Sequence, residues 1–218
     1  MPTYRFFVQP QIDQDAQRVI GYEALLRQQV NRNWVLPASF TAISVTDQIK
    51  LLAETATMLN VAASQQTLAF NLNNAQFHDP RTLGAIVLFK KQFTNVDLTI
   101  ELTEAPQLDE LTRFSTVLHQ YGIQLIIDDV GTGSNTYANI RNLLPFVDEI
   151  KFAMQNLRAT HRDQRIPYEL AFWSQIARTF RLRMILEGVE NAADQALAKR
   201  FGISIHQGYL YGKPSLPA

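Results

Sequence analysis

The sequence predicts an α/β fold, in which eight strands close into a (β/α)-barrel whose first strand is antiparallel to the second. Short apolar runs alternate with longer amphipathic runs along the 218 residues, an alternation typical of repeated β-α units and a parallel sheet. The strands near residues 126, 150 and 186 are short and apolar, as expected of strands buried on both faces. Eight strands fit a closed barrel better than an open sheet, and an antiparallel opening pair makes that barrel irregular.

The first two predicted strands are "YRFFVQPQI" (4–12) and "RVIGYEALL" (18–26). The short polar link between them permits a hairpin but not a parallel crossover, which needs about a dozen residues or more. A helical pattern over roughly 37–62 follows, with apolar residues three to four apart. The later elements alternate, with strands at 67–73, 96–104, 123–130, 149–153, 183–189 and 204–212 and helices at 80–93, 108–122, 136–144, 167–181 and 191–202.

Local signals mark some of the boundaries. Gly122 is expected at the C-terminal end of the helix 108–122, because glycine adopts the left-handed conformation that ends many helices. Pro167 is expected at the start of the helix 167–181, where its missing N–H is no loss. The stretch 158–167 is the most polar part of the chain and predicts a surface loop.

The composition limits the possible functions. The 20 basic and 20 acidic side chains leave a net charge of zero, which argues against binding to duplex nucleic acid. There are no cysteines, so any metal site must use oxygen or histidine ligands. No run approaches the roughly 18–20 apolar residues of a membrane span, and the first residues lack the pattern of a signal peptide. We therefore expect one barrel domain over residues 1–218, no membrane segment and a cytoplasmic location.

Polar side chains stand at the carboxyl ends of nearly all the predicted strands. They are Glu23, Asn71, Glu101 with Glu104 just beyond it, Asp128 with Asp129, Lys151, Glu187, and Gln207 in the last strand. One such residue alone is more often a solvated loop residue, so the prediction rests on the repetition of the pattern. In a barrel these strand ends converge on one rim, where barrel enzymes hold their catalytic residues.

The residue types at these strand ends indicate a metal site. Several carboxylates in one cleft repel one another unless a cation compensates their charge. Oxygen ligands from acids and an amide favour Mg²⁺ or Mn²⁺ over zinc or copper. The adjacent Asp128 and Asp129 suit two metal ions about 3.5–4 Å apart, the arrangement used for in-line displacement at a phosphoester. Lys151 is the candidate to hold the attacking water or to stabilise phosphoryl charge.

Several motifs recur in a characteristic order along the chain. They are "YEALLR" (22–27), "FNLNNAQF" (70–77), "IELTE" (100–104), "DDVGTG" (128–133), "EIKFA" (149–153), "LEGVE" (186–190) and "QGYLYGKP" (207–214). The chain thereby resembles EAL domains, a family that hydrolyses the bacterial second messenger cyclic di-GMP, over about residues 4–214. The resemblance implies a modified TIM (β/α)8 barrel with an antiparallel first strand. It also implies a pair of Mg²⁺ or Mn²⁺ ions, cleavage of cyclic di-GMP to linear pGpG, and a homodimer.

The resemblance further implies roles for individual residues. The implied metal ligands are Glu23, Asn71, Glu101, Asp128, Asp129 and Glu187, with Asp128 bridging the ions. The implied catalytic residues are Lys151, which positions the attacking water, Glu187 and Asp129. The implied substrate-binding residues are Gln9, Arg27 and Gln207, and the guanidinium fork of an arginine suits a phosphate. Glu104 is implied to brace the loop Val130 to Asn135, which the family uses for metal binding and dimerisation.

The chain departs from the family pattern at a few positions. Ala153 stands two residues after the lysine, where the family usually has an aspartate, so one carboxylate near the metals is missing. Val130 replaces a phenylalanine, Asn73 replaces a serine, and "SNT" (134–136) replaces "YSS". The predicted ligand set stays intact, and hydrolysis of cyclic di-GMP is the expected function. The alternatives are a cyclic di-GMP receptor with weak or absent catalysis, a protein-interaction module, and an enzyme for a different phosphoester.

Overall fold

The computed structural model describes residues 3–61 and 66–217. Two long strands, β1 (Thr3–Asp13) and β2 (Arg18–Val30), open the chain as an antiparallel hairpin. They pair along the whole of β1, with a register shift between Gln11 and Ile12. A short strand, β3 (Asn33–Val35), which the sequence pattern did not predict, extends the far end of β2.

Helices and strands alternate through the rest of the described chain. The strands are β4 (Thr67–Leu72), β5 (Asp97–Leu102), β6 (Gln124–Ile127), β7 (Glu149–Ala153), β8 (Arg183–Glu187) and β9 (Ile205–Gln207). The helices are α1 (Val45–Leu59), α2 (Asn74–Phe77), α3 (Thr82–Gln92), α4 (Leu108–Gln120), α5 (Tyr137–Ile140), α6 (Met154–Ala159), α7 (Ile166–Phe180) and α8 (Ala192–Arg200). Short 3-10 turns lie at Leu144–Phe146 and Asp163–Arg165.

The strands close into a barrel. Their order in the sheet is β1-β9-β8-β7-β6-β5-β4-β2-β3, and β1 also pairs with β2. The strands β2 and β4 to β9 run parallel to one another, whereas β1 runs antiparallel to both of its neighbours, β2 and β9. The predicted fold, an eight-stranded modified TIM barrel with an antiparallel first strand, is therefore confirmed.

The main apolar core lies between the barrel and the surrounding helices. Helix α4 packs one apolar face into this core: Leu111, Phe114 and Leu118 recur every three to four residues and are all buried. Trp173 of α7 is also fully buried in this layer. Within residues 3–61 and 66–217, no helix is long and apolar enough to cross a bilayer.

Several predicted boundaries differ from the observed ones: the strand predicted over 123–130 ends at Ile127, and the helix predicted over 136–144 ends at Ile140. Two other differences have a clear local cause. The helix predicted from residue 37 begins at Val45, because Ser44 caps it by accepting a hydrogen bond from the N–H of Asp47. Its predicted last residue, 62, lies outside the described residues. The last strand, predicted to reach 212, ends at Gln207, because the chain turns at Gly208. A Cβ at Gly208 would overlap the backbone of Val189, so only glycine fits there.

The predicted surface loop at 158–167 is also wrong in part. This stretch holds the end of α6, a 3-10 turn and the start of α7. Arg158 is half-buried, and its guanidinium donates to the Gly188 carbonyl at 2.6 Å and to Asp194 at 2.6 Å. These tertiary contacts order a segment whose composition alone indicates a loop.

Candidate active site

The inner face of the barrel changes from apolar to polar toward the carboxyl ends of its strands. Ile126, Ile185 and Ile205 pack together in a cluster separate from the main core. Side chains two residues apart along a strand share a face, so the residues two positions further on lie above this cluster. Those residues are Asp128, Glu187 and Gln207. Three of the predicted site residues thus meet at the carboxyl-terminal rim.

Lys151 lies at the centre of this polar layer, and its side chain is 0% exposed. Its Nζ is 2.5 Å from Glu187 Oε1, 2.8 Å from Glu101 Oε2, 3.1 Å from Glu23 Oε2 and 3.9 Å from Asp128 Oδ1. Burial alone lowers the pKa of Lys151, but the surrounding carboxylates raise it well above its ordinary value. The amine is therefore an ammonium at neutral pH.

One ammonium does not neutralise the carboxylates that face it. Burial raises the pKa of Glu101 well above its ordinary value, and burial together with neighbouring acids does the same for Asp128. Glu101 Oε1 is buried and has no hydrogen-bond partner in the described part of the chain. A divalent cation would supply the missing positive charge and keep these groups ionised, so the donor set fits such an ion.

Glu23 is held by amides as well as by the ammonium. Asn71 Nδ2 donates to its Oε1 at 2.6 Å, and Gln207 Nε2 donates to its Oε2 at 2.6 Å. Burial raises the pKa of Glu23, but the ammonium and these amides outweigh burial and bring the pKa below its ordinary value. Gln207 is itself fixed between Gln9, whose oxygen accepts from it at 3.1 Å, and Gln11, which donates to it at 3.1 Å.

Asp128, Asp129 and Glu187 form the group that is best placed to hold an ion. One carboxylate oxygen from each lies within 4.8 Å of the other two. Asp129 has a φ of +50°, which is uncommon for a residue with a side chain. Carboxylate oxygens alone suit Mg²⁺ or Mn²⁺ rather than zinc or copper. The structure thus brings together three of the predicted metal ligands that the sequence separates by up to 59 positions.

The loop 130–135 is held mainly by Asn135, which is buried. Its Nδ2 donates to the carbonyls of Asp128 at 2.6 Å and Thr103 at 3.1 Å, and its Oδ1 accepts from the N–H of Ala105 at 2.9 Å. Glu104 is exposed and makes no hydrogen bond to this loop among the described residues. Its predicted bracing role stays a prediction.

Two cavities flank the acidic cluster. The larger, of about 420 Å³, combines polar and apolar walls. It is lined by Glu23, Asn71 and Asp128, by Arg27, Gln76 and Glu104, and by Leu36 and Phe40. The smaller, of about 210 Å³, is lined by Gln9, Glu187, Gln207 and Tyr209 among others. All three predicted substrate-binding residues therefore line a cavity that also contains predicted metal ligands.

Ala153, at the position where the family usually has an aspartate, is buried and pairs with Glu187 across β7 and β8. Two amides from the following helix reach the cluster instead. Asn156 Nδ2 donates to Asp129 Oδ1 at 2.7 Å, and Gln155 Nε2 donates to Glu187 Oε2 at 3.2 Å.

The sequence reasoning missed four residues of the site, namely Gln11, Asn135, Gln155 and Asn156. A signal existed for Gln11, which shares a strand face with Gln9 two positions earlier. No comparable signal existed for the amides of α6 or for Asn135, because their contacts depend on the path of the chain after the strands end.

Comparisons with known proteins agree with this architecture. The family model described as "EAL domain" matches residues 3–214. The chain is 26% identical over 224 residues to the "Probable cyclic di-GMP phosphodiesterase PdeD" of Escherichia coli K12, covering 97% of this chain and 41% of that protein. The chain spans less than half the length of this and other curated relatives.

Solved structures share the fold. A "standalone versatile EAL protein from Vibrio cholerae O395" in its c-di-GMP bound form superposes with a TM-score of 0.77 at 23% identity, covering 99% of this chain and 94% of that one. The manganese and c-di-GMP complex of Klebsiella pneumoniae BlrP1 gives a TM-score of 0.75 at 23% identity, covering 100% of this chain and 60% of that one. Because the family model matches nearly the whole chain and the barrel is of the same kind, the chain belongs to the EAL domain family.

Proposed function

We propose that this chain is a metal-dependent phosphodiesterase that hydrolyses cyclic di-GMP to linear pGpG. The observation that carries the proposal is the meeting of Asp128, Asp129 and Glu187 within 4.8 Å, beside the buried ammonium of Lys151. The names of its relatives support the substrate, since the Escherichia coli relative is named a probable cyclic di-GMP phosphodiesterase. The Vibrio cholerae and Klebsiella pneumoniae structures hold c-di-GMP.

Mg²⁺ or Mn²⁺, in a pair, is the proposed cofactor. When bound, such ions polarise phosphate oxygens and lower the pKa of water. The proposed ligands are Glu23, Asn71, Glu101, Asp128, Asp129 and Glu187. Asn71 already uses its amide nitrogen to donate to Glu23, so its amide oxygen is the atom left to serve as a ligand. Manganese in the Klebsiella pneumoniae complex supports the choice of ion.

The chain's own residues hold the substrate and handle the proton. Lys151 is proposed to orient the attacking water. Glu187 and Asp129 are proposed to accept hydrogen bonds from this water. Arg27 lines the same cavity as Asp128. Its guanidinium is proposed to bind a phosphate there through two parallel hydrogen bonds. Gln9 and Gln207 line the smaller cavity and are proposed to bind the ligand there. Glu104 is proposed to brace the loop after Asp129.

A second candidate function is a cyclic di-GMP receptor with little or no turnover. The observation that favours it is Ala153, which places a methyl group next to Glu187 where the family pattern has an acid. A receptor of this kind would still bind cyclic di-GMP in the two cavities but would hydrolyse it slowly or not at all.

A turnover assay separates the two. The purified chain is incubated with cyclic di-GMP and Mn²⁺, and the products are resolved by chromatography. A linear pGpG peak that disappears with a chelator supports hydrolysis. Intact substrate, together with heat on titration with cyclic di-GMP, supports the receptor. Absence of both product and heat would refute both functions and leave the protein-interaction module or a different phosphoester.

Three further expectations stay predictions: one domain over residues 1–218, a homodimer and a cytoplasmic location. Sedimentation of the purified chain, with and without ligand, tests the homodimer.

A further inference from the structure

The first turn of α6 follows β7 directly and carries two neighbouring amides. Asn156 Nδ2 lies 2.7 Å from Asp129 Oδ1, and Gln155 Nε2 lies 3.2 Å from Glu187 Oε2. Asp129 and Glu187 come from different strand ends, and each contributes an oxygen to the same three-carboxylate group. One helical turn therefore contacts two of its three members.

The amides of Gln155 and Asn156 differ from the Lys151 ammonium because they carry no charge. The Lys151 ammonium forms ion pairs with Glu187, Glu101 and Glu23 and cancels part of their charge. It forms no ion pair with Asp129 in the described structure. An amide donor is neutral, so it fixes the direction of a carboxylate without removing the negative charge that a cation needs. The contacts from α6 thus order the group while leaving its affinity for a cation in place.

Asp129 needs such a contact more than its neighbours do. It is half-buried, it lies beyond the end of β6, and its φ is +50°. Its carboxylate is close to two like charges, which repel it. Asn156 donates the hydrogen bond that opposes this repulsion. The other side-chain contact of the pair, from Gln155, is longer and comes from an exposed residue, so it contributes less.

We propose that Asn156, assisted by Gln155, is a positioning residue that holds Asp129 and Glu187 at cation-binding separation. It offsets the carboxylate that is absent at Ala153, which pairs with Glu187 in the sheet. This inference deepens the proposed function and rests on it, because it concerns the same metal ligands. It assigns a role to α6, a helix that the sequence pattern did not predict.

The test is a titration of the full chain with Mn²⁺ in the absence of nucleotide, in which electron paramagnetic resonance measures free Mn²⁺. Asn156→Leu keeps the number of heavy atoms and the branching of the side chain and removes its donor. Partners that orient metal ligands typically change metal affinity by about 10–100-fold, so the Kd for Mn²⁺ is expected to rise about tenfold. Gln155→Leu should raise it less. Asn156→Ser, which keeps a hydroxyl donor, should recover part of the affinity.

Asn74→Leu is the matched control, because it makes the same change at an exposed position of another helix. Its Kd should equal that of the parent, and circular dichroism should show that all variants are folded. A Kd for Asn156→Leu within about twofold of the parent overturns the inference. Parent chain that binds Mn²⁺ but does not cut cyclic di-GMP overturns only the proposed hydrolysis. Parent chain that binds no Mn²⁺ overturns both.

Discussion

Replacement of Lys151 by methionine tests whether its ammonium is the internal counter-charge of the site. The side chain is 0% exposed and Nζ lies within 3.1 Å of oxygens from Glu187, Glu101 and Glu23. Methionine has a similar length and no charge, so these carboxylates are left facing one another. Removing one partner of a buried ion pair destabilises a protein by about 3–5 kcal/mol. For a chain of this size, 1 kcal/mol shifts the Tm by about 2–4 °C, so a fall of about 6–20 °C is expected.

The assay is thermal unfolding of metal-free protein, followed by circular dichroism at pH 8 and pH 5. Burial already raises the pKa of Glu101 and Asp128, and loss of the ammonium raises these pKa values further. The folded variant then binds more protons than its unfolded chain, so its stability falls as the pH rises. The deficit relative to the parent should therefore be larger at pH 8 than at pH 5.

Mn²⁺ provides a second arm of the same experiment. An ion that binds only the folded chain stabilises it by about 2.7 kcal/mol at 100 times its Kd. Because the ion replaces the missing charge, it should raise the Tm of Lys151→Met more than that of the parent. Lys50→Met is the control, since Lys50 forms an exposed ion pair with Asp47 and such pairs contribute at most about 1 kcal/mol. A metal-free Tm for Lys151→Met within about 2 °C of the parent at pH 8 would refute the reasoning.

Three further predictions follow from the site. Asp128→Asn should lower kcat by about 10²–10³-fold in the chromatographic assay, a loss comparable to that of a main charge-stabilising group, and turnover near the parent level would contradict a bridging role. Asn135→Ala removes three hydrogen bonds that hold the loop to Asp128, Thr103 and Ala105. It should destabilise the fold by about 1–3 kcal/mol and speed amide hydrogen exchange in residues 130–135. Exchange rates equal to those of the parent would show that other contacts hold the loop. Ala153→Asp should raise kcat if the missing carboxylate limits the rate, and an unchanged kcat would show that the amides of α6 suffice.

The strand ends could be predicted from the sequence because two simple regularities govern them. Parallel strands in a barrel bring their carboxyl ends together, and side chains alternate along each strand. These rules placed Glu23, Glu101, Lys151, Glu187 and Gln207 in one layer, and the structure agrees.

Features outside the strands did not follow from such rules. The segment before α1 has helical spacing, but Ser44 caps the helix only at Val45. Gly208 has the sequence context of a strand, yet the chain turns there, and the backbone of Val189 occupies the space that a Cβ at this position would need. Asn156 reaches Asp129 because of where α6 leaves β7, and hydrophobic periodicity carries no information about that exit.

The pairing of β1 with β9 determines when the site can form during synthesis of the chain. Gln11 bonds to Gln207 across 196 residues of sequence, so the contact that completes the rim carries one of the largest loop-closure costs in the chain. Ribosomes add about 5–20 residues per second, so roughly 10–40 s separate the synthesis of these two glutamines. During that interval the edge of β1 that later pairs with β9 is unpaired, and such an edge is a template for association with other chains. We therefore expect the nascent chain to be prone to aggregation, and to acquire its complete polar rim only after β9 has left the ribosome.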